Sequence, residues 1–393
     1  MSNRLNLTKK NRFIFAITSL NYGGAQKNFY YLLKAIKEDK EYNCNFEPVV
    51  VSLKKEGRYK NKLSLLNVKV YDLGFPEKFS LSSLHVLLFG VVKFFYLIMR
   101  YKPQGIHSFL FQANFLSRFA KILLPRIKII CSERVAEREK PWQLKLLKWT
   151  DFLVDVILVN SEDLKNFVLR TQNVSPEKVV VVENIIDVEE IKINNDKFYI
   201  RKQLGINEED FFVLSIGRLH KMKGFDLLIE VVKDFSERVK NLCCSRKYIF
   251  AVIGDGEEYY KLLEYAAKLQ VKEYIKFLGY KENVYDYINA CDLFLLTSYW
   301  EGAPNVVLEA AALKKAILST NAEGVRDVVD DNFVISLQQP RENIIREFSN
   351  KIMDIYLKRK NYTSEEFLSK KFSIDKYSPK NVVGKVLNYY NQK

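Results

Sequence analysis

The chain has 393 residues, 48% of them hydrophobic, and a formal net charge of +15. That is enough apolar material for two ordinary domains with their own cores, and it excludes wholesale disorder. Five cysteines (Cys44, Cys131, Cys243, Cys244, Cys291) lack metal or disulfide spacing, and three histidines are too few for a zinc cluster.

The excess of cations predicts an anionic partner: nucleic acid, anionic lipid or a polyphosphate-linked substrate. No helix-turn-helix, zinc-finger or aromatic ribonucleoprotein signature occurs, so nucleic acid is not expected. An AT-rich genome, which inflates lysine, asparagine and tyrosine, accounts for part of the charge. The start Met1-Ser2-Asn3-Arg4 leads through Lys9 and Lys10 into a strand-like run, with no small-residue cleavage site of a signal peptide. Together with the cysteine usage this predicts a reducing, cytoplasmic setting.

The first half opens with a buried strand over 13–17. Asn21-Tyr22-Gly23-Gly24-Ala25-Gln26 follows, then a helix through Phe29 to Ile36. Strand, glycine pair and helix form an arrangement that lets a phosphate or sugar approach backbone, although a Gly-Gly pair also makes a plain tight turn. Strands are predicted over 49–53 and 68–73. The apolar stretch 84–99 has 16 residues and carries His85 and Lys93. A membrane span needs roughly 20 apolar residues. The stretch therefore reads as a helix that is mostly buried, the favoured reading, or pressed on a bilayer surface.

Pro103 precedes a strand over 105–108, and Phe111-Gln112-Ala113-Asn114 opens a helix through Leu124. Strand 127–131 ends in Ser132-Glu133-Arg134, and strands over 157–160 and 179–182 complete this half. Strands alternating with helical spans predict a parallel, doubly wound sheet. Polar groups at its strand ends make His107, Asn114 and Arg134 the acceptor-side candidates. Arg134 suits a phosphate or an acidic acceptor group, or else an ordinary surface ion pair. For His107 the alternative is a histidine hydrogen-bonded at a strand end.

The polar stretch 187–201 reads as a linker. Strand 211–216 then runs into Gly217-Arg218-Leu219-His220-Lys221-Met222-Lys223-Gly224. Two cations between two glycines at a strand-to-helix turn suit a diphosphate, because arginine forks two oxygens and lysine adds a point charge. Strand 249–253 ends in Gly254-Asp255-Gly256, and a short strand over 275–280 follows. The apolar run 292–296 leads into Thr297-Ser298-Tyr299-Trp300-Glu301-Gly302-Ala303-Pro304-Asn305-Val306 and an apolar helix from Val306 to Leu313. Gly302 permits close approach of a ligand, and Pro304 fits a first helical turn. The amides near Asn305 and Val306 then form an anion site at a strand's carboxyl end. Glu301 and Glu309 flank it. A carboxylate beside a diphosphate escapes repulsion when it accepts hydrogen bonds from sugar hydroxyls, so one acid for each sugar of a nucleotide-sugar fits.

This stretch resembles the Glu-x7-Glu signature of the retaining family-four glycosyltransferases of group 1. The resemblance covers nearly the whole chain and is strongest over 211–329. It implies the GT-B fold, with the hexose of a nucleotide-sugar on Glu301 and its ribose on Glu309. It implies donor phosphates on Arg218 and Lys223, a donor site lined by Gly23, Gly24, Gly217 and Gly254, and the base near Tyr280. It also implies a histidine near 107–112 that contacts the donor sugar. Phe109 and Gln112 occupy the alternative positions, which leaves His107. Glu183-Asn184-Ile185-Ile186-Asp187 resembles the family's interdomain segment with Glu183 and Ile185 as departures, and Glu323-Gly324-Val325-Arg326-Asp327 matches a further family turn loosely.

The expectation is therefore an α/β protein of the GT-B class: two Rossmann-like doubly wound domains facing across a cleft, over 1–190 and 191–371. A C-terminal helix, 372–393, crosses back to the first. The expected activity is retaining transfer of a hexosyl or N-acetylhexosaminyl group from a nucleotide-sugar, UDP-sugar favoured, to a glycan or polyprenyl-diphosphate-linked acceptor. The setting would be surface polysaccharide, lipopolysaccharide or glycoprotein glycan synthesis in a bacterium. Glu301, Arg218, Lys223 and His107 are the catalytic candidates. The sequence holds no Asp-x-Asp at a suitable strand end, so no metal or other cofactor is expected. The protein would sit in the cytoplasm, peripheral to the inner face of the plasma membrane, where an anionic surface attracts it. The alternatives are a GT-B epimerase or phosphorylase-like enzyme, and a non-catalytic nucleotide-sugar-binding partner of another transferase.

Overall fold

A computed structural model describes residues 11–40, 42, 46–55, 57–77, 80–242, 246–358 and 363–391. Cys44, Cys243, Cys244 and the basic start 1–10 lie outside the described residues. Cys131 and Cys291 are free and buried. The chain divides into two compact units, Met1–Ile185 with Asp375–Lys393, and Ile186–Ile374. The divide falls five residues before the expected 190/191 boundary, and the returning segment begins at 375 rather than 372.

The first unit is a seven-stranded sheet, wholly parallel, in the order β3-β2-β1-β4-β5-β6-β7. Its strands are β1 Asn11–Ile17, β2 Phe46–Lys54, β3 Lys69–Phe75, β4 Gly105–Phe109, β5 Lys128–Ser132, β6 Val156–Val159 and β7 Val179–Val181. The unbroken apolar runs are explained by burial on both faces. On one face Phe13, Phe15 and Val50 pack with the helices Gly24–Glu38, Arg58–Leu65 and Pro379–Asn391. On the other, Ile14, Val49 and Ile106 pack with helices Leu84–Tyr101, Phe111–Arg118 and Glu162–Thr171. The expected helix through Leu124 is two helices, Phe111–Arg118 and Ala120–Leu123, which meet at Phe119.

The last helix is stapled into this unit. Val382, Val383, Val386, Leu387 and Tyr390 are core residues. Lys376 and Lys385 both pair with the buried Glu183, at 3.1 and 2.7 Å. Burial pushes the Glu183 carboxyl up, and hydrogen bonds from Lys385, its own backbone N–H and Lys376 more than offset it, leaving it below its ordinary value.

Helix Leu84–Tyr101 corrects an expectation. Only Gly90, Phe94, Leu97, Ile98 and Tyr101 are buried. Leu84, Leu88, Phe89, Val92, Tyr96 and Met99 are exposed. The helix docks through a narrow stripe, close enough that a Cβ at Gly90 would lie 2.6 Å from the Phe75 ring. Its outward face stays apolar. Among the described residues it is the one helix long and apolar enough to cross a membrane.

The second unit is a six-stranded parallel sheet, β10-β9-β8-β11-β12-β13. Its strands are β8 Phe211–Ile216, β9 Tyr248–Ile253, β10 Ile275–Phe277, β11 Leu293–Leu296, β12 Ala316–Thr320 and β13 Val334–Ile335. The core is built from β8, β9 and β11 with helices Phe225–Lys240, Tyr259–Lys268 and Arg341–Leu357. The strand order reverses between β8 and β11, so the loops leaving these two strands flank the crevice where α/β sheets take ligands.

Candidate functional site

The loops after β8 and β11 carry Arg218 with Lys223, and Glu301 with Gly302, Ala303 and Pro304. They are locked together. Gly224 ends the turn Lys221–Lys223 at φ +61°, and a Cβ there would lie 2.0 Å from the Thr297 carbonyl oxygen. Gly254, at φ +143°, packs equally close to the loop after β8, its Cβ position 1.9 Å from the Gly217 carbonyl. No side chain fits at either place without moving backbone. Across the β8–β11 junction the Tyr299 N–H donates to the Met222 carbonyl at 2.8 Å, and the Thr297 hydroxyl to the Lys223 carbonyl at 3.2 Å.

This packing places Lys223 against Glu301 as an ion pair. Glu301 is 5% exposed; its Oε1 also accepts from the Ser298 hydroxyl at 2.7 Å. Its backbone N–H donates to the Glu323 carboxylate at 2.8 Å. Arg218 is exposed and makes no ion pair among the described residues. Glu309 is buried on the helix Asn305–Ala312. Pro304 is the residue before that helix, at the N-cap with φ −74° and ψ 113°, instead of inside the first turn as expected. The helix therefore opens at Asn305 and Val306, at the carboxyl end of β11. Tyr280 stands beyond β10, partly exposed, its N–H 3.2 Å from Asp255 Oδ2.

Sequence reasoning missed the brace behind this loop. The Tyr299 hydroxyl donates to Asp226 at 2.7 Å. Arg341, at the start of a distant helix, donates to Tyr299 at 2.7 Å, Asp226 at 2.8 Å and Glu230 at 2.6 Å. Ser298 and Glu323, which hold Glu301, were likewise not singled out. Ser298 lies three positions from Glu301 and could have been found locally; the Asp226, Tyr299 and Arg341 partners lie 42 to 115 positions apart, where only residue type could have signalled them.

The first-unit candidates separate into three kinds. Gly23 and Gly24 open the helix Gly24–Glu38 after β1, Gly23 being its N-cap. This is the switch point of the first sheet, between β1 and β4. Across from them Leu110 holds φ 70° and ψ 154°, a backbone region almost confined to glycine.

His107 and Asn114 are core groups. His107 has no exposed surface; Nδ1 lies 2.6 Å from the Tyr390 hydroxyl and Nε2 2.8 Å from the Ser132 hydroxyl. It is the hydrogen-bonded strand histidine, fastening the C-terminal helix, and both ring nitrogens are committed. Asn114 is buried and donates to the Ser132 carbonyl at 3.0 Å. Neither side chain is presented to solvent, so the expected ligand contacts are corrected.

Burial, and then the Arg134 charge, hold the His107 pKa well below its ordinary value. With the folded pKa below the unfolded one, the contribution is complete above about pH 6.5 and is lost on acidification below it. Lowering pH from 7.5 to 5.5 should remove on the order of 1 kcal/mol through this residue. His107→Gln should flatten that part of the slope, as read by urea midpoints at the two pH values.

Arg134 is different. It follows β5, donates to Asn184 Oδ1 at 3.2 Å and leans over the Phe109 ring at 5.4 Å. Its Nε is buried without a partner, and no carboxylate pairs with it among the described residues. The neighbouring acids are engaged elsewhere, Glu133 by Gln172 and Glu183 by Lys376 and Lys385. Burial lowers the guanidinium pKa to about 10. The surface-ion-pair alternative does not hold.

Among the described residues no cluster of three histidine, cysteine or acidic side chains could hold a metal. The profile described as Glycosyltransferase Family 4 matches residues 22–190, and the one described as Glycosyl transferases group 1 matches residues 196–365. The chain is 30% identical over 192 residues to an N-acetylgalactosamine-N,N'-diacetylbacillosaminyl-diphospho-undecaprenol 4-alpha-N-acetylgalactosaminyltransferase of Campylobacter jejuni, covering 48% of each chain. It is 25% identical over 285 residues to an Escherichia coli UDP-Gal:alpha-D-GlcNAc-diphosphoundecaprenol alpha-1,3-galactosyltransferase, 68% of this chain and 72% of that one. It spans about half the length of several of the curated relatives it matches in sequence. The fold is shared with Anabaena HepE, solved with UDP and glucose, at a TM-score of 0.76 and 17% identity, covering 96% of this chain and 98% of HepE. The two profiles between them take in all of both sheets except β1, and with this fold the chain belongs to the group 1 glycosyltransferases of the GT-B class.

Proposed function

We propose that the chain moves a hexosyl or N-acetylhexosaminyl group from a nucleotide-sugar, UDP-sugar favoured, to a lipid-linked or glycan acceptor, with retention of anomeric configuration. The observation that carries the reading is the Lys223–Glu301 pair seated at the β8–β11 switch point. In this reading Arg218 and Lys223 meet the charge that develops on the leaving diphosphate, as preorganised cations in a fixed frame. The amides at the start of the helix Asn305–Ala312 assist them. Glu301 holds the donor hexose by its hydroxyls, turning its anomeric carbon to the acceptor. Glu309 takes the ribose, and the base rests near Tyr280. Gly217, Gly254 and Gly302 keep side chains away from the nucleotide. Two cations on the diphosphate leave no step that requires a metal.

Arg134, cationic and without a carboxylate, suits an anionic acceptor group such as a diphosphate. The two relatives are named for acceptors of this kind, undecaprenol diphosphates, and one of them for a UDP-sugar. We place the protein at the inner face of a bacterial plasma membrane, in surface polysaccharide or glycoprotein glycan synthesis. The net charge of +15 and the apolar outer face of helix Leu84–Tyr101 support that placement. The non-catalytic reading draws only on the commitment of His107 to the core, and predicts UDP binding without sugar transfer.

The test is thermal stability against UDP, GDP, ADP and their sugar conjugates, with Glu309→Ala alongside. A nucleotide at 100 times its dissociation constant should add about 2.7 kcal/mol to the wild type. The variant should lose most of that. No shift with any nucleotide would remove the donor-site reading.

A further inference from the structure

Helix Pro141–Thr150 and the turn Asp151–Leu153 after it carry a surface that the donor chemistry does not use. Leu147 and Thr150 face inward and are buried. On the outside Trp142 is 53% exposed, Trp149 71% and Phe152 76%. The chain has three tryptophans, so two of them stand on this one face. Lys145 lies between the indoles, and Lys140 and Lys148 flank them. All three lysines are exposed and outside any ion pair among the described residues. The helix itself, Pro-Trp-Gln-Leu-Lys-Leu-Leu-Lys-Trp-Thr, contains no acid.

The combination discriminates between partners. Protein interfaces are rich in tryptophan but depleted of lysine at their centres. Helices that lie in a bilayer surface combine Trp and Phe with Lys, since an indole suits the headgroup level and an ammonium suits anionic lipid. The surface is also preformed. Phe111 packs edge-on against Trp142 at 5.4 Å, and the buried Arg118 fixes the helix from beneath through the Leu147 carbonyl. No folding on binding is then required.

We propose that this surface docks on an anionic lipid bilayer, with Trp149 and Phe152 in the interfacial layer and Lys145 and Lys148 against the headgroups. The proposal rests on the membrane-side placement above, and not on the donor chemistry. It assigns to Pro141–Phe152 an anchoring role that would hold the first unit at the lipid surface where a lipid-linked acceptor is found.

The experiment is flotation of the full chain with vesicles of phosphatidylethanolamine and about one third phosphatidylglycerol, and with phosphatidylcholine alone, while tryptophan emission is followed. The wild type should float with the anionic vesicles only, release at high salt, and shift its emission to the blue. Lys145→Gln with Lys148→Gln should weaken binding roughly 25-fold, about fivefold for each lysine near the surface. Trp149→Ser with Phe152→Ser should weaken it at least as much. The stabilisation by UDP should be unchanged in both variants, which keeps the donor reading separate, and urea unfolding followed by far-ultraviolet circular dichroism reports their folding. Equal binding of wild type and the Trp149/Phe152 variant overturns the proposal. So does a wild type that ignores both vesicles, or a concentration-dependent dimer abolished by the same two substitutions. Vesicle binding lost as expected in a protein that ignores every nucleotide would sustain this surface and sink the donor reading.

Discussion

Replacing Lys223 by methionine should lower sugar transfer by about 100- to 1,000-fold, the usual effect of removing one preorganised charge from a leaving group. The variant does two things at once. It takes a cation from the diphosphate, and it strands Glu301, which is 7% exposed at its side chain and paired with Lys223. An uncompensated carboxylate at that depth costs about 3 kcal/mol. The two effects separate in a cycle with Glu301→Gln. In the Lys223→Met, Glu301→Gln double variant the stranded charge is gone, so most of the stability returns. Ser298 and the Glu323 bond to the loop backbone remain to hold the loop. Activity should not return, because neither the cation nor the sugar-binding acid is present. A double variant that regains turnover along with stability would show Lys223 to be a structural partner of Glu301 and nothing more. The measurements are turnover under saturating donor and urea midpoints of all four proteins.

The sheets were legible because a parallel strand covered on both faces must be apolar throughout. The runs at 13–17, 211–214 and 293–296 can hardly be read otherwise. The donor loops were legible because their chemistry is local. Glycine, arginine and lysine within eight positions of a strand end describe a phosphate site without reference to the rest of the chain. Three-dimensional partners were not. His107 was open to two readings in the sequence, and what decides between them is Tyr390, 283 positions later. Arg341 reaches Asp226 across 115 positions. Helix Leu84–Tyr101 failed for a related reason: composition says how much of a helix is apolar, but not which stripe the neighbouring layer covers. Its inward residues match β3 and the sheet behind it, and nothing in the described unit lies over Leu88, Phe89 and Val92. The lysine-and-tryptophan helix Pro141–Thr150 escaped notice because it has neither a strong apolar period nor a motif.

Arg118→Met should destabilise the first unit by about 4 kcal/mol, within the range for breaking a buried ion pair from one side. Arg118 and Asp151 are 0% and 1% exposed at their side chains. The two N–H groups of Nη1 are shared among the Leu147 carbonyl at 2.6 Å, the Thr150 hydroxyl at 2.8 Å and Asp151 Oδ1 at 2.9 Å. Asp151 Oδ2 accepts from the Asn173 N–H at 2.7 Å, so the pair also fastens the chain after helix Glu162–Thr171. Methionine fills the space of the arginine stem but leaves the buried Asp151 carboxylate without its cation and Oδ1 without its donor. Because all three bonds leave one nitrogen, a lysine ammonium with three donors is the closer substitute, and Arg118→Lys should cost only about 1–2 kcal/mol. Arg118→Met with Asp151→Leu should recover more than half of the methionine loss, since it removes both charges together. A Trp300→Phe background leaves Trp142 and Trp149 as the only tryptophans, so fluorescence-detected urea unfolding reports the first unit. If Arg118→Met proves as stable as Arg118→Lys, the pair is energetically idle. If it is destabilised as expected, the same nitrogen that holds the helix also holds the Trp149 surface in place. Vesicle binding should then weaken in Arg118→Met at temperatures well below its unfolding, while the UDP shift of the second unit persists.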